Sequence, residues 1–241
     1  MIVIPARWGS SRFPGKPLAP IAGVSLIQRV YERAAKSTRA DAVYVATDDE
    51  RIYRHIETFG RVVMPEGDFQ SGTDRIAAAL PMIERAESAR FDLIVNVQGD
   101  EPLIDITSVD ALIEKAAPIG TLASAFETDE EFNARDIVKV VVDADGTALY
   151  FSRAPIGSRE TALRHVGVYA YRREAIERFV SLPPSPLEKA ESLEQLRALQ
   201  NGIPISVIRT AKAHLGVDRP EDVARVEEAL VRSSRTNPAT P

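Results

Sequence analysis

The sequence contains no cysteine. This absence excludes disulfides, zinc sites built from thiolates and cysteine nucleophiles, and it is compatible with a reducing compartment. No apolar run approaches the roughly 20 residues that are needed to span a bilayer. The opening segment MIVIPARW lacks the length and the basic region of a signal peptide. We therefore expect a cytoplasmic protein that does not bind membranes.

A surplus of positive charge is also absent. The chain carries a net charge of -5, which disfavours general nucleic-acid binding, so an anionic ligand requires a local cluster of Lys and Arg. Hydrophobic residues make up 44% of the 241 residues, which is enough for a buried core. We expect residues 1–231 to form a single domain and residues 232–241 to form a flexible tail.

The first half of the chain alternates short apolar runs with helical patterns. The runs MIVIPA, AVYVAT, RVVM and DLIVNVQ predict buried strands, and the stripe Leu26, Val30 and Ala34 predicts a helix between the first two. Strands and helices that alternate in this way are typical of βαβ units and a mainly parallel sheet. Pro81 interrupts an otherwise helical run, and we expect it to kink or divide that helix.

The middle of the chain breaks this alternation. The run VKVVVDADGTALYFSR predicts two strands joined by a turn at Asp145 and Gly146. An antiparallel excursion is therefore expected at about residues 137–171. In its last strand, His165 and Tyr169 share one face with Gly167, although a lone histidine is more often structural than catalytic.

The run SPLEKAESLEQLRAL predicts one helix over residues 185–200. Ser185 can act as its N-cap and Glu188 can complete a capping box. Helical spacing places Glu191, Glu194 and Gln195 on one face, which is by default a solvated face.

The stretch IPARWGSSRFPGKPL follows the first predicted strand directly. It contains Arg7, Arg12 and Lys16 together with two glycines and three prolines. Ligands of α/β sheets bind at the carboxyl ends of strands, where glycines let backbone amides approach an anion and cations neutralise it. The stretch matches neither the P-loop signature nor the dinucleotide fingerprint. We favour an anion site over a solvated basic turn.

Three further stretches place polar groups at the ends of predicted elements. NVQGDEP puts Asp100 at a strand end, where a carboxylate opposite a phosphate site can hold Mg²⁺, but Gly-Asp before Pro is also ordinary turn chemistry. In QSGTDR, Ser71 or Thr73 can simply cap a helix. Asp218 precedes a last helix that is expected to begin near Pro220, so capping is again the simpler interpretation.

Taken together, these stretches resemble the 3-deoxy-manno-octulosonate (Kdo) cytidylyltransferase family. The resemblance runs from about residue 2 to 231, on the segments IPARWGSSRFPGKPL, VATDD, QSGTDR, NVQGDEP, YFSRAPI, RHVGVYAY, SPLEKAESLEQLR and GVDRPEDV. It implies a three-layer α/β/α nucleotide-diphospho-sugar transferase fold. The sheet would be mixed and mostly parallel, with a small antiparallel part for sugar binding and homodimer formation.

The resemblance implies an activity and roles for individual residues. CMP would pass from CTP to the anomeric 2-hydroxyl of Kdo, with release of pyrophosphate, for lipopolysaccharide biosynthesis. Arg12 and Lys16 would hold the triphosphate, and Asp100 and Asp218 would carry Mg²⁺. The nucleotide site would consist of Ala6, Arg7, Ser10, Ser71, Gly72, Arg75 and Gln98. The sugar site would consist of Gln98, Arg153, His165, Tyr169, Glu194 and Gln195.

The sequence departs from the family pattern after Ile156. Gly157 follows where the family has a proline and then an aromatic residue, and only residues 157–163 precede Arg164. A related acidic sugar, 8-amino-Kdo or sialic acid, is therefore an alternative substrate, although SLEQLRAL and QSGTDR favour the Kdo branch over the sialic acid branch. A non-catalytic nucleotide-binding protein is a further alternative, but it would be expected to lose the metal carboxylates, and both are present.

Overall fold

The computed structural model describes residues 1–9, 12–116, 118–211 and 215–236. The strands are β1 Ile2–Ala6, β2 Pro20–Ile21, β3 Val24–Ser25, β4 Val43–Thr47, β5 Val62–Val63, β6 Leu93–Asn96, β7 Ile119–Ser124, β8 Lys139–Val142, β9 Ala148–Ser152, β10 Leu163–Arg172 and β11 Ile205–Arg209. The helices are α1 Leu26–Ala34, α2 Glu50–Ile56, α3 Gly72–Glu87, α4 Ile106–Lys115, α5 Asp129–Asn133, α6 Arg173–Ser181, α7 Pro186–Glu191, α8 Leu196–Gln200 and α9 Asp222–Thr236, with a short 3₁₀ helix at Lys16–Leu18. None of the described helices is long and apolar enough to cross a membrane.

Nine of the described strands form one mixed sheet in the order β11-β7-β10-β6-β1-β4-β5, with β8 and β9 attached to β10. Strand β1 is parallel to β4 and β6, and β7 is parallel to β11. Strand β10 runs antiparallel to β6, β7 and β8, and β8 is antiparallel to β9. The predicted antiparallel segment is therefore present, but its last strand is a central strand of the main sheet and not part of a separate lobe.

Two hydrophobic clusters lie on the two faces of this sheet. Successive side chains of a strand point to opposite faces, so Val3 belongs to one cluster and Ile2 and Ile4 belong to the other. Helices α3, α6 and α8 cover the first cluster, and α1, α2, α4 and α9 cover the second. The predicted three-layer α/β/α architecture is confirmed.

The predicted single helix over residues 185–200 is wrong. Ser185 and Glu188 form the predicted capping box, but α7 ends at Glu191 because Ser192 adopts a left-handed conformation with φ of 53°. The chain then turns, and α8 begins only at Leu196. The apolar periodicity continues through this turn, and so the pattern alone did not reveal the break.

Pro81 does not divide its helix, because α3 runs without interruption from Gly72 to Glu87, and the predicted kink stays a prediction. Pro81 lies on the exposed side of α3. Water can therefore bond to the carbonyl that loses its backbone partner there, which lowers the cost of a proline inside a helix.

The last helix begins at Asp222, two residues after the predicted start. Helix α9 continues to Thr236, five residues past the predicted end of the domain. Residues 237–241, the rest of the predicted tail, lie outside the described residues.

Candidate active site

The loop after β1 is closed by a contact between its two ends. The backbone N–H of Gly15 donates to the carbonyl of Trp8 at 3.2 Å. Gly15 has a φ of 70°, and a Cβ at this position would lie 2.9 Å from Cη2 of Trp8, so the turn requires glycine. Lys16 follows directly and begins the 3₁₀ helix. This closure returns the chain, and with it Lys16, to the carboxyl edge of the sheet.

Two cations and two carboxylates form an ion cluster at this edge. Lys16 Nζ donates to Asp100 Oδ2 at 2.7 Å and lies 3.6 Å from Asp218 Oδ1. Arg12 Nη1 donates to Asp218 Oδ2 at 3.2 Å. The structure therefore brings together the four residues that the family resemblance implied for holding the triphosphate and Mg²⁺, although Arg12 and Asp218 lie 206 positions apart in the chain.

Neighbouring backbone positions the two carboxylates of the ion cluster. Asp100 follows β6, which pairs with β1. The N–H of Val217 donates to the carbonyl of Asp100 at 2.9 Å, and this bond holds Asp218 beside Asp100. Burial, reinforced by the Asp100 carboxylate, raises the pKa of the adjacent Glu101 to about 8. The buried carboxyl of Glu101 therefore favours its neutral form.

A cavity of about 230 Å³ opens beside the ion cluster. Its lining includes the four residues of the cluster and every described residue of the predicted nucleotide site, namely Ala6, Arg7, Ser71, Gly72, Arg75 and Gln98. Ser10 lies outside the described residues. A Cβ on Gly72 would lie 3.1 Å from Cγ of Pro5. A Cβ on Gly99 would lie 2.8 Å from the carbonyl oxygen of Pro5. Glycine at these two positions therefore allows the close backbone packing that shapes the cavity.

Arg75 is a buried cation in the wall of this cavity. It is 3% exposed, its Nη2 pairs with Asp48 Oδ2, and its guanidinium lies 5.6 Å from the centre of the Phe69 ring. Ser71 caps α3 as predicted, since its hydroxyl accepts from the N–H of Asp74 at 3.1 Å. The Nε of Arg75 has no hydrogen-bond partner among the described residues, and a buried donor of this kind is available to a ligand oxygen.

Three of the predicted sugar-binding residues lie in a buried polar region. The rings of His165 and Tyr169 are 5.4 Å apart, and His165 Nε2 lies 3.0 Å from Thr121 Oγ1. Thr73 Oγ1 donates to Glu194 Oε2 at 3.0 Å, while burial raises the pKa of Glu194. The hydroxyl of Tyr169 and Oε1 of Glu194 have no hydrogen-bond partner among the described residues.

The other predicted sugar-binding residues have different surroundings. Arg153 donates from Nε to the carbonyl of Glu191 at 2.9 Å and from Nη2 to that of Ser192 at 3.2 Å, so its guanidinium caps the end of α7. Gln98 donates to Asn96 Oδ1 at 3.3 Å, and Gln195 is buried.

The break between α7 and α8 also separates residues that were predicted to share a helix face. The carboxylate of Glu191 accepts from Ser152 and from the backbone of Arg153, whereas that of Glu194 accepts from Thr73. The predicted common face of Glu191, Glu194 and Gln195 is therefore wrong.

Comparison with known proteins assigns the chain to a family. A cytidylyltransferase family model matches residues 1–208. A 3-deoxy-manno-octulosonate cytidylyltransferase of Syntrophotalea carbinolica is 49% identical over 95% of this chain and 97% of the relative. The chain belongs to the Kdo cytidylyltransferase family. The prediction that it is a nucleotidyltransferase is thereby confirmed.

Two other similar proteins carry names that state their ligands. An 8-amino-3,8-dideoxy-manno-octulosonate cytidylyltransferase of Shewanella amazonensis is 48% identical over 95% of this chain and 97% of the relative. A solved CMP-2-keto-3-deoxy-manno-octonic acid synthetase in complex with CTP aligns with a TM-score of 0.85 and 41% identity, over 96% of this chain and 98% of that chain.

Sequence reasoning about this family member missed three residues at the site. Asp48 holds Arg75, Thr73 holds Glu194, and the buried Glu101 lies beside Asp100. Asp48 could have been noticed, because VATDD follows a predicted strand and the carboxyl ends of parallel strands share one edge. Glu101 follows a predicted strand in NVQGDEP, as Asp100 does, but its burial depends on distant segments, and so does the contact of Thr73 with Glu194.

A second cavity of about 600 Å³ adjoins the nucleotide cavity in this cytidylyltransferase. Asp100 and Asp218 line both cavities, and His165 lines the larger one together with Arg164 and Gly167. The two carboxylates of the ion cluster therefore lie at the boundary between two ligand-sized spaces.

Proposed function

We propose that this protein transfers CMP from CTP to the anomeric 2-hydroxyl of Kdo and releases pyrophosphate. The convergence of Arg12, Lys16, Asp100 and Asp218 beside the nucleotide cavity is the observation that carries this proposal. Relatives that are 42–49% identical over most of their length are named for this reaction. CTP would occupy the smaller cavity, and the sugar would approach the two carboxylates from the other side.

The chemistry of this transfer suits the residues of the ion cluster. The sugar hydroxyl is the nucleophile, so no side-chain nucleophile is needed, in agreement with a chain that has no cysteine. Catalysis of such transfers consists mainly of positioning and charge stabilisation. Lys16 and Arg12 would hold the β- and γ-phosphates and stabilise the negative charge that develops on the leaving pyrophosphate.

We propose Mg²⁺ as the cofactor, held by Asp100 and Asp218. Both carboxylates already approach one cation, the ammonium group of Lys16, and they offer only oxygen donors. The described residues contain no group of three or more metal-ligating side chains. A pair of carboxylates nevertheless suits Mg²⁺, which usually completes its shell with water and substrate phosphates. When bound, the ion would polarise the α-phosphate.

The acceptor would be recognised by buried polar side chains. The hydroxyl of Tyr169 and Oε1 of Glu194 are available for sugar hydroxyls, and the raised pKa of Glu194 increases the fraction that can donate a hydrogen bond. His165 and Gln98 would complete the polar lining. Gln195, which directly follows Glu194, would also belong to it. Arg153 would bind the sugar carboxylate only after its guanidinium leaves the carbonyls of Glu191 and Ser192.

The competing acceptor is 8-amino-Kdo. The observation that favours it is the 48% identity to the Shewanella relative, together with the shortened segment after Ile156. In this segment, Arg159 Nε lies 2.8 Å from Asp129 Oδ1 and ties the shortened loop to α5. A change in loop length near an acceptor site is a common route to a change in acceptor.

A substrate panel tests the proposed reaction. Pyrophosphate release would be measured with CTP or UTP against Kdo, 8-amino-Kdo and sialic acid, with and without Mg²⁺. We expect release with CTP and Kdo that requires Mg²⁺. Release with only 8-amino-Kdo or sialic acid would move the assignment to that sugar, and binding of CTP without turnover of any acceptor would favour a non-catalytic nucleotide-binding protein.

The proposed metal role is tested by Asp100→Asn. We expect a loss of turnover of at least about a hundredfold with an unchanged far-ultraviolet circular dichroism spectrum, because the amide removes a charged oxygen ligand without changing its size. Asp145→Asn, in the exposed turn between β8 and β9, is the matched control and should keep full activity. Full activity of Asp100→Asn would refute the metal role.

We further propose a cytoplasmic homodimer that binds neither nucleic acid nor membranes. The net charge of -5 supports the first of these exclusions, because a general nucleic-acid binder needs a surplus of positive charge. The antiparallel part of the sheet, β8 to β10, would contribute to the dimer contact.

A further inference from the structure

Trp8, the single tryptophan of the chain, connects the loop after β1 to helix α2. The guanidinium carbon of Arg51, in the first turn of α2, lies 3.4 Å from the centre of the Trp8 ring. Gly15 approaches another part of the same ring so closely that a Cβ would lie 2.9 Å from Cη2. The ring therefore contacts α2 through Arg51 and the far end of its own loop through Gly15.

Arg51 is itself held in place. Its Nε donates to Asp49 Oδ1 at 3.0 Å and its Nη2 donates to Asp49 Oδ2 at 2.6 Å, a bidentate pair that fixes the plane of the guanidinium. Asp49 also caps α2, because its Oδ1 accepts from the N–H of Arg51 at 2.9 Å, and its own N–H donates to Thr47 Oγ1 at 3.2 Å. The ring of Trp8 thus rests on a guanidinium that is anchored to the end of β4.

The contacts of Asp49, Arg51 and Trp8 lead to Gly15, which precedes the cation that would face the triphosphate of CTP. Gly15 is followed directly by Lys16, whose ammonium contacts Asp100 and Asp218. We propose that Asp49 and Arg51 are positioning residues, which act through Trp8 to hold the loop of Arg12 and Lys16 in the conformation that binds CTP. This inference rests on the proposed function only in naming CTP as the ligand.

The expected effect follows from the cost of ordering a loop when a ligand binds. A loop that is already held in its binding conformation loses less entropy on binding, so its affinity for the ligand is higher. Two cations of this loop, Arg12 and Lys16, already lie beside Asp100 and Asp218, so their positions depend on the conformation of the loop. Removal of the Arg51 contact should therefore weaken CTP binding, although Arg51 does not line the nucleotide cavity.

Substitution of Arg51 on an exposed helix tests this inference. We expect Arg51→Ala to raise the Kd for CTP, measured by calorimetry, about two- to fivefold, the range that corresponds to one cation–π contact at an exposed site. The Trp8 emission should shift to the red and become more accessible to acrylamide, while the KM for the acceptor stays within twofold. Arg51→Lys should rescue the affinity only in part, since an ammonium lacks the planar fork. Asp49→Asn should weaken binding by a smaller factor than Arg51→Ala.

Arg54→Ala is the matched control. Arg54 lies on the same helix and pairs with Glu50 Oε1 at 2.8 Å, with most of its side chain exposed. It should leave the Kd for CTP and the Trp8 emission unchanged.

Several outcomes would overturn the inference. An Arg51→Ala variant with wild-type affinity and emission would do so, as would an equal loss of affinity in Arg54→Ala. A rise in the acceptor KM as large as the rise in the Kd for CTP would indicate a general structural defect. Wild-type protein that binds CTP but does not turn over Kdo would overturn the proposed acceptor alone, and the affinities of the variants would still decide the role of Arg51.

Discussion

Asp48 balances the buried charge of Arg75 in the wall of the nucleotide cavity. The amide in Asp48→Asn keeps the shape but removes the negative charge, so the guanidinium loses a charge-assisted hydrogen bond, which is typically worth about 1.5–3 kcal/mol. We expect the KM for CTP to rise about tenfold, because an Arg75 without its anchor is less well oriented. Steady-state kinetics with varied CTP would measure this change.

Asp92→Asn, at an exposed position before β6, provides the control for Asp48→Asn. It should leave the KM for CTP unchanged. A normal KM for CTP in Asp48→Asn would show that the contact with Phe69 and the packing of α3 are enough to orient Arg75.

His165 makes stability depend on pH. Burial lowers the pKa of His165 to about 3, whereas an unfolded histidine titrates near 6.5. Below about pH 6.5 the unfolded state therefore binds an extra proton, and stability is lost as the pH falls. Between pH 7 and pH 5 the wild type should lose about 2 kcal/mol more unfolding free energy than His165→Gln, measured by urea titration. The same loss in both proteins would refute a neutral His165 in the folded state.

At the scale of elements, Lys139 on β8 is hydrogen-bonded to the segment after α5 and to Arg153, which follows β9. The fully buried Lys139 donates from Nζ to the carbonyls of Ala134, Ile137 and Arg153. Its three donors are thus satisfied by two carbonyls between α5 and β8 and by one carbonyl just after β9, and this offsets the cost of burying the charge. Burial lowers the pKa of Lys139.

Lys139→Met should destabilise this junction. The variant leaves buried carbonyls without donors, which typically costs about 1–3 kcal/mol for each group, so we expect the unfolding free energy to fall by at least about 2 kcal/mol. Lys115→Met, at the exposed end of α4, should change it by less than about 0.5 kcal/mol. Equal stability of the two variants in denaturant titrations would contradict a structural role for the Lys139 ammonium.

The helices and turns that sequence reasoning described correctly depend on neighbours within a few residues. The N-cap at Ser71 and the capping box of Ser185 and Glu188 are examples, since both sides of each hydrogen bond lie within one helical turn. The break after Glu191 could not be read in this way. It is accompanied by hydrogen bonds from Arg153, 38 residues away, to the end of α7.

At the scale of the whole molecule, the proposed homodimer predicts a measurable mass and a sensitive position. Sedimentation at micromolar concentration should give twice the 26.4 kDa of one chain. Leu149 on β9 is 61% exposed, and it belongs to the antiparallel part proposed for the dimer contact. Burial of a leucine contributes about 1.5–3 kcal/mol, so Leu149→Asp should weaken the dimer at least about tenfold.

Met82→Glu serves as a comparison for the dimer prediction, because Met82 is an exposed apolar residue on α3, away from the antiparallel strands. It should leave the dimer intact. A wild-type protein that sediments as a monomer would refute the homodimer, and an unchanged dimer in Leu149→Asp would place the contact elsewhere.

The sequence by itself determined the fold class and the identities of the four ion-cluster residues. Strand and helix periodicity is local, and the loop with Arg12 and Lys16 follows a strand, as Asp100 does, so the carboxyl-edge rule favoured these three charges at one edge of the sheet, whereas Asp218 was implied only by the family resemblance. The tertiary structure alone decided how the side chains around the site pair with one another. Asp48 meets Arg75, Arg51 meets Trp8 and Arg153 meets the end of α7, because packing of separate segments brings these groups within contact distance. Such contacts depend on how the chain folds back on itself, and no local pattern encodes that distance.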